Sequence, residues 1–253
     1  MTTNGVLKHK AENQLQSFLA DCQIERPQGK CILEIGFKNG LFLDQCRRAG
    51  MIPTGLEINP DFYRSVGKNY PELDLVLYDG MDVPLPDETF DYIVSFQVLE
   101  HVESAEKIIS ECVRLLKPGG MMYHICPNYH SFYEGHYKIF WLPFFNKSMG
   151  RRYLRLLRRY TPYYESLKLI TPGYMKNILS KFSPQLETLS LGRNEFCKKF
   201  TPEQIAKVDQ KLLRDILSLI YKLPLSKPLL LLPIAKVNCH YPLTIIAKKN
   251  HLL

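Results

Sequence analysis

The stretch Lys30-Cys-Ile-Leu-Glu34-Ile-Gly36-Phe-Lys38-Asn-Gly40-Leu-Phe-Leu43 decides how the rest of the chain is read. Cys31, Ile32, Leu33 and Ile35 form a short apolar run, as a strand buried on both faces of a parallel sheet requires. Glu34 interrupts that run, and a buried carboxylate is costly unless something compensates it. Gly36 and Gly40 then frame a strand-to-helix turn, where glycine permits unusual dihedrals and lets a ligand approach the backbone. The spacing differs from the Gly-x-Gly-x-x-Gly turn of dinucleotide binders, because Lys38 stands at the second glycine. Taken alone, the pattern also describes an ordinary strand end followed by a loop.

Four downstream segments narrow the reading. Pro53-Thr-Gly-Leu-Glu57-Ile-Asn gives a second strand ending in an acid, about twenty residues on, where a carboxylate can meet ribose hydroxyls. Leu75-Val-Leu-Tyr-Asp79-Gly-Met81 follows, then Phe90-Asp-Tyr-Ile-Val-Ser95-Phe-Gln-Val-Leu-Glu100-His101-Val. Leu115-Leu-Lys-Pro-Gly-Gly120 leads into a further apolar run that ends at Cys126-Pro-Asn128.

In order and spacing, this series resembles the class I S-adenosylmethionine (SAM)-dependent methyltransferases, particularly the subgroup with a Val-Leu-Glu-His-Val motif. The resemblance covers roughly residues 30–128, plus a last strand near the C-terminus. It implies an α/β, Rossmann-like fold: a seven-stranded, mostly parallel sheet with its last strand antiparallel and helices on both faces. It implies SAM as cofactor and S-adenosyl-L-homocysteine as product. By the same resemblance, Glu34, Gly36, Phe37, Lys38, Asn39 and Gly40 form the turn at the cofactor's amino-acid end. Glu57 and Ile58 take the ribose side, Asp79, Gly80 and Met81 the adenine, and Ser95, Phe96 and Gln97 the methionine and sulfonium. Lys38 departs from the family, which usually has glycine there; its backbone can still line the cofactor if the side chain points to solvent.

His101 is the candidate general base, since histidine titrates near neutral pH; capping or packing the helix that begins near Ser104 is its alternative role. His124 lies inside a strand and reads as structural, while His130 and His136 are weaker candidates. Some relatives, in ubiquinone biosynthesis and small-RNA 2′-O-methylation, carry Glu-x-x-Glu-His and bind a divalent metal. Here Gln97 replaces the first acid, although His136 offers a further ligand, and the expectation is no metal.

The 253 residues suit one methyltransferase domain, 45% apolar, with a net charge of +8 that points to anionic partners. Seven scattered cysteines without metal spacing, and an N-terminus lacking an apolar core, suggest a cytoplasmic protein. Ala11–Gln23 has helical spacing and reads as core packing. Residues 129–170 are expected to be a cap inserted after strand five, with Tyr133, Tyr137, Phe140 and Trp141 walling an acceptor pocket. From Lys147 to Arg159 there are six cations and no acid. That run suits a phosphate, carboxylate or anionic headgroup, or else a solvated face. Residues 196–236 are expected to be a helical insertion before the last strand. Prolines and lysines break up the apolar Leu229–Ala235 stretch too often for a spanning helix.

The expected function is methyl transfer to oxygen, or nitrogen, of a small-molecule, glycan or lipid-linked acceptor, acidic in character, with peripheral membrane contact as a further partner. An RNA methyltransferase and a non-catalytic SAM-binding scaffold are the alternatives. Oligomeric state is not legible.

Overall fold

In the computed structural model, which describes residues 3–80, 82–192, 215, 218, 219, 222 and 241–251, the first apolar run is strand β1 (Cys31–Ile35). It follows helix α1 (Thr3–Asp21) and leads through the glycine turn into α2 (Leu41–Arg48). Strand β2 (Ile52–Glu57), helix α3 (Pro60–Asn69) and strand β3 (Asp74–Leu77) come next. After them come β4 (Phe90–Phe96), α4 (Ala105–Leu115) and β5 (Leu116–Cys126).

The helices begin where the sequence offers caps. Asn59 Oδ1 accepts from the Asp61 and Phe62 N–H groups, with Pro60 in the first turn. Ser104 Oγ accepts from Lys107 N at 3.2 Å. Beyond α4, Leu116 pairs with Phe90 while Met121 pairs with Tyr92. The intervening Lys117–Gly120 therefore bulges from the ladder, and the strand starts earlier than the expected Met121.

With β8 (Leu186–Leu191) and β9 (Leu243–Lys249), the strands make one seven-stranded sheet in the order β3-β2-β1-β4-β5-β9-β8. It is mostly parallel with the last strand antiparallel, as expected. The order reverses between β1 and β4, the point where open α/β sheets leave a crevice at the carboxyl ends of their strands. Ile35 is level with both Leu56 and Ser95, so Gly36, Glu57 and Phe96 follow side by side at that end. Beneath it, Phe18 of α1 is fully buried, with edge-on contacts to Phe42, Tyr92 and Tyr123. Core packing is thus what α1 contributes.

The chain divides into two compact units. The first comprises residues 1–125, 177–189 and 245–253, and the second 126–176 and 190–244. The second holds a hairpin of β6 (Tyr133–Glu134) and β7 (Ile139–Phe140), then α5 (Lys147–Leu156) and α6 (Tyr163–Ser166). Helix α7 (Pro172–Ser180) leads back to the first unit. Segment 129–170 has a core of its own, in which Trp141 is fully buried among Tyr129, Phe145, Tyr153 and Tyr164. Trp141 therefore packs the interior instead of walling a pocket. The expected helical insertion at 196–236 and the apolar stretch 229–235 fall almost wholly outside the described residues. Among the described residues, no helix is long and apolar enough to cross a membrane.

Candidate functional site

At the end of β1 the chain turns sharply, and three residues hold the turn in left-handed conformations: Gly36 at φ +76°, Lys38 at +45° and Gly40 at +69°. A Cβ at Gly36 would lie 2.7 Å from Val98 Cγ2, and one at Gly40 2.5 Å from Val66 Cγ1. Glycine is thus required twice over, by dihedral and by space. Lys38 and Asn39 are exposed, whereas Phe37 is buried with Leu43, Val66 and Leu73. Phe37 can therefore face a ligand only through its backbone. Asn39 Oδ1 accepts from Leu41 N at 3.1 Å and so covers one free donor at the start of α2.

Glu57 ends β2 almost wholly buried, and its carboxylate organises this turn. Oε2 accepts from Lys38 N at 3.1 Å, and Oε1 from the N–H groups of Ile58 and Asn59 at 2.9 and 3.0 Å. Glu34 is also buried, but its Oε2 has no hydrogen-bond partner. Burial, reinforced by the Glu57 charge, holds the Glu34 carboxyl well above the usual carboxylate range. Ile58 stands 59% exposed beside the exposed Gly80, where a Cβ would lie 3.8 Å from Ile58 Cγ2. Asp79 is exposed, with Oδ1 accepting from Asp82 N at 3.4 Å. Met81 lies outside the described residues.

At the end of β4, Ser95 turns inward. Its Oγ lies 2.8 Å from His124 Nδ1, and His124 Nε2 lies 3.8 Å from Cys112 Sγ. Burial pushes His124 down to about 4, so it is neutral near pH 7 and structural, as expected. Phe96 packs edge-on against Phe42, 4.8 Å between centroids. Gln97 is exposed at φ +59°, and its N–H donates to Ile125 O. Side chains of Ser95 and Phe96 thus serve the core, and Gln97 is the one of the three displayed to solvent.

His101 is 38% exposed, with Nε2 3.7 Å from Oε1 of the buried Glu100. Ser104, not His101, caps α4. An imidazole beside a buried carboxylate can take up a proton and have the new charge balanced. In the second unit, His136 Nδ1 lies 2.9 Å from Glu134 Oε1, and the His130 ring lies 4.8 Å from that of Phe144.

Glu100 and Val98 were missing from the sequence-based set. Val98 backs Gly36, and Glu100 is a fully buried acid next to the candidate base. Both belong to the Val-Leu-Glu-His-Val motif at 98–102, and that motif was the available signal for each.

A family model described as a methyltransferase domain matches residues 33–124. A Mycolicibacterium smegmatis protein named as a probable S-adenosylmethionine-dependent methyltransferase is 33% identical over 110 residues, 44% of this chain and 43% of that protein. The ubiquinone biosynthesis O-methyltransferase of Coxiella burnetii is 30% identical over 101 residues, 38% of this chain and 43% of that enzyme. The chain thus matches less than half the length of these curated relatives. A solved S-adenosylmethionine-dependent methyltransferase from Mesorhizobium loti superposes with a TM-score of 0.59 at 16% identity, covering 90% of this chain and 95% of that one.

Proposed function

We propose that this chain, whose residues 33–124 match a methyltransferase domain model, is a class I SAM-dependent methyltransferase that transfers a methyl group from SAM to oxygen on a small or lipid-linked acceptor. The observation that carries this is the convergence of the left-handed Gly36–Gly40 turn and the buried Glu57 carboxylate at the strand ends. The residues fit the cofactor. Glu57 is the acid that would take the ribose, Ile58 offers an exposed apolar surface for adenine, and Lys38 and Asn39 stand exposed in the turn. Three donors already occupy Glu57, out of about four acceptor positions. Oε2, which accepts only from Lys38 N, therefore keeps one position for a ribose hydroxyl, while Ile58 and Asn59 fill Oε1 and keep the carboxylate aimed.

When bound, SAM supplies an activated methyl group; the protein's part is to position the acceptor atom and remove its proton. Positioning contributes on the order of 7–11 kcal/mol, and a general base about 10²–10⁴-fold in rate. His101 is the base in this reading, with the Glu100 carboxylate balancing its charge. Oxygen is favoured over nitrogen by the partial similarity to the ubiquinone-pathway O-methyltransferase.

The test is formation of S-adenosylhomocysteine when the purified chain is given SAM with phenolic, carboxylate and amine acceptors in turn. Turnover with an oxygen acceptor, reduced about 10²-fold or more by His101→Ala, is expected. SAM binding without turnover on any acceptor would favour a binding scaffold.

A further inference from the structure

The second unit concentrates both the charge and the exposed apolar surface of this protein. Residues 126–176 carry nine lysines and arginines against two acids, Glu134 and Glu165, so this segment holds nearly all of the net charge of +8. Both acids are engaged inside the unit. Glu134 is buried and accepts from Tyr129 Oη and Tyr137 N. Glu165 takes the Arg151 guanidinium through two 2.7 Å hydrogen bonds, which hold it down at about 2. Arg155 lies over the Tyr160 ring. Arg152 and Arg158 remain exposed, with no ion-pair partner among the described residues.

The same unit shows eleven of the eighteen large apolar side chains that stand exposed among the described residues, ten of them in 126–176. They follow a pattern. Phe140, Leu142 and Phe144 point out while Trp141 between them is fully buried. On α5, Gly150 and Leu154 are buried, and the opposite face presents Met149, Arg152 and Leu156 at i, i+3, i+7. Leu156 is 80% exposed and Phe144 66%. Single exposed leucines are ordinary, but apolar side chains that share the outer face of α5 with an arginine lacking an acid mark an interaction surface.

We propose that this face of the second unit docks on an anionic phospholipid bilayer. Arginine forks match lipid phosphates, and the aliphatic tips of Met149, Leu156 and Leu157 suit the boundary between headgroup and acyl chain. Single-stranded RNA would satisfy the cations and the aromatic rings, yet it gives aliphatic tips nothing to stack on. Bilayer docking narrows the proposed acceptor to a lipid or lipid-linked molecule. It rests on that reading for this narrowing only, since docking itself requires no SAM.

The experiment is co-sedimentation of the full chain with vesicles of equimolar phosphatidylcholine and phosphatidylglycerol, against phosphatidylcholine alone, with oligouridylate binding in parallel. The expected result is association with the anionic vesicles only. Arg152→Glu with Arg158→Glu should lower it by about 30-fold or more. Phe144→Ser with Leu156→Ser should lower it on the order of tenfold while leaving oligouridylate binding unchanged. The four side chains changed in these arms all lie on the surface, so melting curves should report folded variants. No association with anionic vesicles would overturn the proposal. So would an apolar double variant that binds vesicles as the parent does, because the face would then be a general polyanion site. Failure here leaves SAM binding untouched, so the two readings fail separately.

Discussion

Glu34 lies buried with one oxygen unpartnered and with the Glu57 charge acting on it. Its carboxyl is held above the usual range, so folding favours its protonated form. The associated stability is complete below the ordinary carboxylate pKa and is lost as pH rises toward the elevated value. Glu34→Gln should therefore raise the melting temperature of the ligand-free protein near pH 7 and flatten its fall above about pH 4.5. If Glu34 organises the turn for the cofactor, the same variant binds SAM more weakly; a variant no more stable than the parent would refute the burial argument. His124 has the opposite sign. Its folded value is depressed from 6.5 to about 4, so its contribution is complete above pH 6.5 and is lost as pH falls toward 4. That contribution is on the order of 3 kcal/mol. His124→Gln should be less sensitive to acid across this window, as read by denaturant unfolding at several pH values.

At the scale of elements, the β1–α2 turn makes opposite demands on its residues. Gly40→Ala should destabilise by on the order of 2 kcal/mol or more, since it meets both a left-handed backbone and Val66 at 2.5 Å. Lys38→Gly should instead stabilise by about 0.5 kcal/mol, because Lys38 already pays for a left-handed φ of +45°. Urea unfolding distinguishes the two directions. The glycines of this turn and the acid at the end of β2 were legible, because each is a local demand on dihedral angle or hydrogen bonding; the cap of α4 was not, since Ser104 takes the role that His101 was offered. The inward turn of Ser95 was not, since it depends on His124, which lies 29 residues on in the adjoining strand. Nor was the early start of β5, where Leu116 joins the ladder before the bulge.

At the scale of the whole molecule, the seven-stranded, mostly parallel sheet followed from the resemblance that the motif series carries, while the second unit did not follow from its composition. Its aromatics looked like a pocket wall, yet Trp141 and Tyr164 are the interior that lets 129–170 pack by itself. Likewise, the cations from Lys147 to Arg159 lack a local acid, but Glu165 reaches Arg151 from 14 residues away. The central claim is that the first unit holds SAM through Glu57 at the end of β2. Calorimetric titration with S-adenosylhomocysteine tests it most directly, comparing the parent with Glu57→Ala and Glu72→Ala. Glu72 is a half-exposed acid paired with Arg47 at 3.2 Å, away from the strand ends. The account predicts that the parent and Glu72→Ala bind alike, and that Glu57→Ala binds at least about tenfold more weakly, the loss of one charge-assisted hydrogen bond. Equal affinity in all three, or no binding by the parent, would contradict it.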